Sequence, residues 1–484
     1  MRKSYGLFFV ALGAALAWSL SATAGVDFFG TAKIRPTFYS NFDFDDSAGD
    51  KATLNEGGWA SGEHVRGELR LGWKASGEKW RVKMIAEADV IFDKDNGDRS
   101  FYASATAPFD NQPNAGGEFG IERAEMGYTF SPMLDLSAGW DIRYLDIKTG
   151  GLLYGDDHPF IGLKGKLGGG PGADFGYELL YLPIYNRDTI GKSDNWKTND
   201  WRVYSLKLTG TFDTGLGQIT VSPFAAFSDF EEPKAKPDAN IYYYGAELYG
   251  RVGPIKPALE VVAATGDFDD SSKDISSYAA FAGVEVPLLK AFNPYAAVRY
   301  SRGDDDKNDT DVEGWVGITD ISRFTPMLGM DGNILGEHLS SGASLYGAPL
   351  YGYSPENAVG GDVYGGIGAG GSGNNPGQRL LAVGATGDLG EFVPSLSYKA
   401  QAFFIWYDQT DNLEDASAGV TKVDRYAGTT LDLQVKYALS KNFAVDYIFS
   451  TFIPGQGIED QGPVFGLETD DPAFVNVLTL AWKY

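Results

Sequence analysis

The chain of 484 residues contains no cysteine. That excludes a disulfide framework, a thiolate zinc site, an iron–sulfur cluster and covalently attached haem. A basic block is missing too: 40 Lys and Arg stand against 65 Asp and Glu, for a formal net charge of -25. Wrapping nucleic acid needs a surface that neutralises phosphates, so nucleic acid drops out as a partner. After the first residues no run reaches the roughly 18 to 20 apolar residues that a spanning helix needs. What the chain does have is 63 glycines and 14% aromatic residues. That is too much glycine for a mainly helical protein and an unusual aromatic load for an ordinary globular enzyme.

At the start, Arg2 and Lys3 precede the apolar run Gly6 to Leu20, and Ser21-Ala22-Thr23-Ala24 supplies small residues at the two positions a signal peptidase reads. Residues 1–24 are therefore expected to be a signal peptide cut before Gly25, since the run is short for a membrane anchor.

From Trp80 onward the even positions are Trp80, Val82, Met84, Ala86, Ala88, Val90 and Phe92, and the odd ones include Arg81, Lys83, Glu87 and Asp89. A period of two gives the strand one apolar and one charged face. The same pattern recurs at Val65 to Lys74, Leu134 to Tyr144 and Leu431 to Tyr437. A soluble sandwich also alternates, but its strands average about 5 or 6 residues. These run to about 10 and carry aromatics at both ends, which suits a membrane barrel with two interfacial girdles.

Links between the runs alternate between tight, such as Ser131-Pro132-Met133 and Leu439 to Asn442, and long, such as Asp93 to Gly120 and Pro454 to Pro472. Short periplasmic turns and long outer loops are the habit of single-chain outer-membrane barrels. Nineteen runs are legible, one of them at 312–319, and the alternation of long and short links breaks only between residues 319 and 377. Because an odd total is wrong for this class, one further strand is expected in 319–377. The fold class is thus all-β: a transmembrane antiparallel up-and-down β-barrel over 25–484 with about 20 strands, 18 being the alternative, and long extracellular loops.

Leu478, Leu480, Trp482 and Tyr484 put a terminal aromatic and apolar residues on one face, although Asn476 departs from the pattern. This resembles the C-terminal signature read by the barrel assembly machinery. Taken with the periodicity, the mature chain resembles Gram-negative outer-membrane porins, and in length and arginine-studded lumen it is similar to the alginate-export barrels. The resemblance implies a passive channel in the outer membrane of a Gram-negative bacterium, surrounded by lipid and lipopolysaccharide, with association between copies left open.

Charge on the lipid side of a strand costs about 2 to 4 kcal/mol near the midplane, so the charged positions are expected to line the lumen. On the first five strands they are Lys33, Arg35, Arg66, Arg70, Arg81, Lys83, Arg123 and Arg143, interleaved with Glu68, Glu87, Asp89, Glu125, Asp135 and Asp141. Two readings remain: a wall whose charges neutralise one another, or a basic track for small hydrophilic, anionic solutes. The track could also serve acidic oligosaccharide, and arginine's planar fork suits carboxylates.

The glycine-rich segment 319–377 carries few charges for a loop that merely waves in water. It is expected to fold into the pore as a constriction, with Asp331, Glu337 and His338 reaching the lumen; a surface loop is the alternative. Acidic clusters around Asp43, Asp45, Asp93, Asp267 and Asp304 to Asp306 are expected to be solvated outer-loop charge, because no loop has calcium-binding spacing. No cofactor or metal is expected. The three histidines, His64, His158 and His338, are framed by no nucleophile or zinc motif, so no enzymatic activity is expected. A barrel sleeve around a partner cytochrome remains a distinct alternative.

Overall fold

The computed structural model describes residues 25–41, 44–45, 62–91, 119–186, 200–231, 239–268, 274–306, 309–315, 317–318, 324–330, 376–465 and 468–484. The signal peptide expected at 1–24 lies outside them, as do Asp331, Glu337 and His338.

Long alternating runs become long strands. The first five are β1 (Val26–Ser40), β2 (Gly62–Ser76), β3 (Trp80–Ile91), β4 (Phe119–Ser131) and β5 (Leu134–Tyr144). The middle of the wall is β6 (Gly155–Gly170), β7 (Ala173–Asn186), β8 (Asp200–Asp213), β9 (Gln218–Glu231), β10 (Ala239–Gly250), β11 (Lys256–Phe268), β12 (Asp274–Glu285) and β13 (Asn293–Ser301). After the two-residue β14 (Asp311–Val312) come β15 (Gln378–Asp388), β16 (Leu396–Tyr407), β17 (Tyr426–Ala438), β18 (Phe443–Pro454) and β19 (Ala473–Lys483).

Neighbouring strands of the wall pair antiparallel, and β19 returns to β1 with Leu480 opposite Ile34, so the sheet closes and has no edge. β13 pairs directly with β15, Tyr295 facing Gly384. The wall therefore has eighteen strands, the lower of the two expected numbers. The run at 312–319 is not a wall strand, because Trp315 is buried inside the barrel with its ring 6.0 Å from that of Tyr243. β14 pairs in parallel with β12 instead of joining the antiparallel wall.

Outward positions carry the apolar residues, with Leu69, Leu71, Leu206, Leu208, Val261, Leu431 and Leu433 all exposed. Near the long-loop end, Tyr181, Tyr204, Phe227 and Tyr242 stand opposite one another on four successive strands. Their rings stack in one row, 4.8 Å separating Phe227 from Tyr242. At the short-turn end Trp482 and Tyr484 lie 5.0 Å apart, and Tyr128 and Phe130 lie 4.7 Å apart. Two aromatic levels flanking an apolar band are the interfacial belts of a membrane barrel. Asn476 is accommodated on this face because the Tyr447 hydroxyl donates to its side chain at 2.8 Å.

The inner wall is divided. On β1 to β5 the inward positions are charged, whereas on β7 to β13 many are apolar and buried, among them Leu182, Val203, Ile241, Val262 and Phe281. Two stretches of the chain cover that apolar half: residues 145–154, between β5 and β6, and, after β13, the described residues 302–306, 309–315, 317–318 and 324–330.

Candidate functional site

The charged half-wall is one connected network. Lys33 and Arg35 on β1 approach Glu68 on β2 at 2.7 and 3.9 Å, and Arg70 lies 3.5 Å from the same carboxylate. Arg70 donates through Nε to Glu87 at 2.6 Å and through Nη2 to Glu122 at 3.3 Å. The second contact comes from a β-bulge: Ile85 pairs with Arg123 and the next residue, Ala86, with Ile121, leaving Glu122 extra. A bulge re-aims a side chain in this way, which is why period-two counting passed over Glu122.

Arg81 reaches across β4 to Asp135 on β5 with two parallel bonds, Nη1 to Oδ1 at 2.7 Å and Nη2 to Oδ2 at 3.0 Å. The path is clear because Gly127 has no side chain where the guanidinium passes. Lys83 donates to Asp141, and Arg143 lies 3.1 Å from Glu125 and 3.7 Å from Asp141. Arg123 lies 3.6 Å from Glu122 and 3.7 Å from Asp141, and the Arg143 guanidinium sits 3.5 Å over the Phe160 ring. The sequence-predicted Arg35, Arg70, Arg81, Lys83, Glu87, Arg123, Glu125 and Arg143 thus meet on one face. Arg66 and Asp89 occupy positions in β2 and β3, their side chains lying outside the described residues.

On the opposite side the segment 145–154 is held deep in the barrel. Thr149 places its hydroxyl 2.7 Å from Glu260 and 2.9 Å from Glu247, and Glu260 also accepts the backbone N–H of Gly150 at 2.8 Å and of Gly151 at 3.2 Å. Lys207 bonds both Glu247 and the carbonyl of Leu145. Gly150 is required here, since a Cβ would lie 2.6 Å from that of Phe281. Within the segment Asp146 accepts the Leu153 N–H at 2.6 Å and the Tyr154 N–H at 3.2 Å, which fixes the turn.

The second segment docks onto the first: the Ile318 N–H donates to the carbonyl of Leu153 at 2.8 Å. Its described end, 324–330, reaches the lower wall, where Lys399 bonds the carbonyls of Pro326 and Gly329. Of the segment 319–377, expected to narrow the pore, the described residues are 324–330 and 376–377.

Two of the acidic loop residues expected to be solvated, Asp45 and Asp304, are instead buried. Asp304 accepts the Glu313 N–H at 3.0 Å, and Asn412 donates to its backbone carbonyl at 2.8 Å. Burial pushes its carboxyl up to about 6, outweighing the pull of the Glu313 N–H, and Asp309 adds repulsion in the same upward direction. His158 is buried with its Nδ1 3.0 Å from the Tyr154 hydroxyl, a structural position in the wall. Among the described residues no group of three or more His, Cys, Asp or Glu could hold a metal ion.

An eighteen-strand closed antiparallel barrel with apolar outer belts and a charged inner wall has the fold of a Gram-negative outer-membrane porin. No protein-family model matches the chain and no curated protein is similar to it in sequence. Solved structures are similar to it in fold. OccK5 (OpdH) of Pseudomonas aeruginosa is 11% identical with a TM-score of 0.51, over 94% of this chain and 98% of that one. OccAB2 of Acinetobacter baumannii is 11% identical with a TM-score of 0.53, over 95% and 98%. OccK2 (OpdF) of Pseudomonas aeruginosa, solved in complex with glucuronate, is 11% identical with a TM-score of 0.52, over 95% and 96%.

Proposed function

We propose that the protein is a passive outer-membrane channel for small hydrophilic solutes, with a preference for those bearing a carboxylate, and that it has no enzymatic activity. The observation that carries this reading is the division of the lumen. Residues 145–154 and the described parts of 302–330 cover the apolar half of the inner wall, so the water-filled path is left beside the charged half on β1 to β5. In that half seven cations (Lys33, Arg35, Arg70, Arg81, Lys83, Arg123, Arg143) stand among six anions (Glu68, Glu87, Glu122, Glu125, Asp135, Asp141). Closely paired opposite charges set a field across the pore and leave only a small basic excess. The two-pronged grip of Arg81 on Asp135 is the same geometry a guanidinium would offer a passing carboxylate. The glucuronate complex of one channel of this fold supports carboxylates as the solute class.

The inward segments also speak against a sleeve around a cytochrome and against a wide duct for acidic polysaccharide, since the chain fills part of its own interior. Lipid and lipopolysaccharide outside the belts, and the barrel assembly machinery at the C-terminal strand, are the remaining partners of this reading.

The test is a planar bilayer. The purified protein should give steady single-channel conductance by itself, with a reversal potential in a salt gradient that moves toward cations when Arg70, Arg81 and Arg143 become Gln. Absence of conductance rejects the channel; conductance without that movement rejects the anion preference. Deleting residues 331–373 should raise the conductance if that stretch narrows the pore.

A further inference from the structure

Beneath the inward segment lies a chamber of about 490 Å³ that opens on the short-turn side of the barrel. Residues 324–330 form its roof, with Phe324, Thr325, Gly329 and Met330 facing it. Its walls are the lower inner faces of β15, β16 and β17 and the turn between β12 and β13. Four charged side chains line it: three lysines, Lys290, Lys399 and Lys436, and one acid, Asp388. The Asp388 carboxylate is already engaged locally, accepting the Gly390 N–H at 2.8 Å.

We propose that this chamber is a second, separate solute site: a pocket for a small organic carboxylate on the short-turn side of residues 324–330. It rests on the channel reading above and adds to it a place where the solute pauses after passing the charged wall. Three features carry it. Three lysines face one lining aspartate, with Asp446 3.8 Å behind Lys436, in a chain whose formal net charge is -25, so the lysines are set against the overall sign. Lys399 is held in place by two roof carbonyls, which fixes one ammonium at the upper edge of the chamber without any carboxylate in those two bonds. Phe324, 55% exposed, presents an apolar surface beside the ammonium groups. A pocket that pairs a few polar groups with apolar wall suits a compact anion with an apolar body.

The site is distinct from the ladder. Lys436 lies 3.8 Å from Asp446 on β18, and the three lysines stand on β16, on β17 and in the turn between β12 and β13, not on β1 to β5.

Benzoate is the probe, with benzamide as its uncharged counterpart, titrated calorimetrically into the full-length protein in detergent. Lys290 is exposed and Lys436 is 42% exposed, so Lys290→Gln and Lys436→Gln test charge at solvated positions. The protein should bind benzoate and not benzamide. Each substitution should weaken benzoate about two- to fivefold, the range of a partly solvated ion pair, and the double variant about tenfold. Equal binding of benzoate and benzamide, or wild-type affinity in the double variant, would each overturn the proposal. Calorimetry needs no current, so a protein that binds benzoate here but does not conduct would reject the channel and keep the site.

Discussion

Glu247 on β10 and Glu260 on β11 stand opposite each other in the sheet and close on a single hydroxyl, that of Thr149, at 2.9 and 2.7 Å. One hydroxyl proton serves one acceptor at a time, so the rest of the hold comes from backbone donors. Gly150 and Gly151 turn their N–H groups onto Glu260, and Lys207 neutralises Glu247. A loop that would otherwise cost conformational entropy to order is tied by several hydrogen bonds in a buried place, where leaving a donor without its acceptor is costly. The position of residues 145–154 is thereby set by two wall carboxylates far from them in sequence.

Replacing Glu260 by Ala should release that tie. Its removal leaves several buried donors without their acceptor, each worth about 1 to 3 kcal/mol and not strictly additive. Hydrogen exchange of residues 145–154 should quicken by about a hundredfold, and open-channel noise should rise, while the wall strands exchange as before. Thr149→Val should act in the same direction and more weakly, by about 1 to 2 kcal/mol. Unchanged exchange in the Glu260 variant would mean that packing against Phe281 alone holds the segment.

The wall was legible in the sequence wherever one strand face meets lipid and the other meets water. β3 shows this in the contrast of Trp80, Val82 and Met84 with Arg81 and Lys83, and pleating alone converts that pattern into two faces. On β8 the signal is different: Trp201 and Val203 point in while Tyr204 and Leu206 point out. Apolar residues on both faces imply that something covers the inner one, and periodicity cannot say what. The cover was written in Gly150-Gly151-Leu152-Leu153-Tyr154, an apolar cluster in a loop. Its anchors were Glu247 and Glu260, lone acids within strands that are otherwise apolar or aromatic at their centres. The run around Trp315 misled the strand count because a buried loop and a wall strand share the same apolar spacing. Glu122 escaped because a bulge shifts parity.

Stability of the second inward segment should depend on pH through Asp304, whose folded carboxyl is raised to about 6. A raised acid favours the protonated, folded arrangement, so its contribution is complete below the usual carboxylate value near 4 and is lost as pH rises through about 6. Hydrogen exchange of residues 302–315 should therefore speed up between about pH 4 and pH 7, by up to about 3 kcal/mol in opening free energy. Asp304→Asn, which still accepts the Glu313 N–H, should flatten that dependence. A variant that keeps the full slope would place the titration elsewhere.

Val261 lies mid-strand on β11 and is 60% exposed on the outer face. An arginine there would sit in hydrocarbon, at about 2 to 4 kcal/mol near the midplane. Urea titration of folding into lipid vesicles should show a loss of that size for Val261→Arg. A neutral result at Val261 would mean that this face meets water or another protein surface.

The two-pronged bond between Arg81 and Asp135 offers a test of whether the ladder sets selectivity or only braces the wall. Arg81→Gln removes one positive charge and should raise the preference for cations over anions; Asp135→Asn removes one negative charge and should lower it, each by about twofold because the other charges are paired and water screens them. The double variant restores the net charge and should return the reversal potential to that of the wild type. A purely structural bond predicts another pattern: both single variants would lose barrel stability, by about 1 kcal/mol after allowance for the 35% exposure of Arg81, with the reversal potential unmoved in all three. Measuring both quantities on the same four proteins separates the field of the wall from its mechanical coherence, because only the field changes sign between Arg81→Gln and Asp135→Asn.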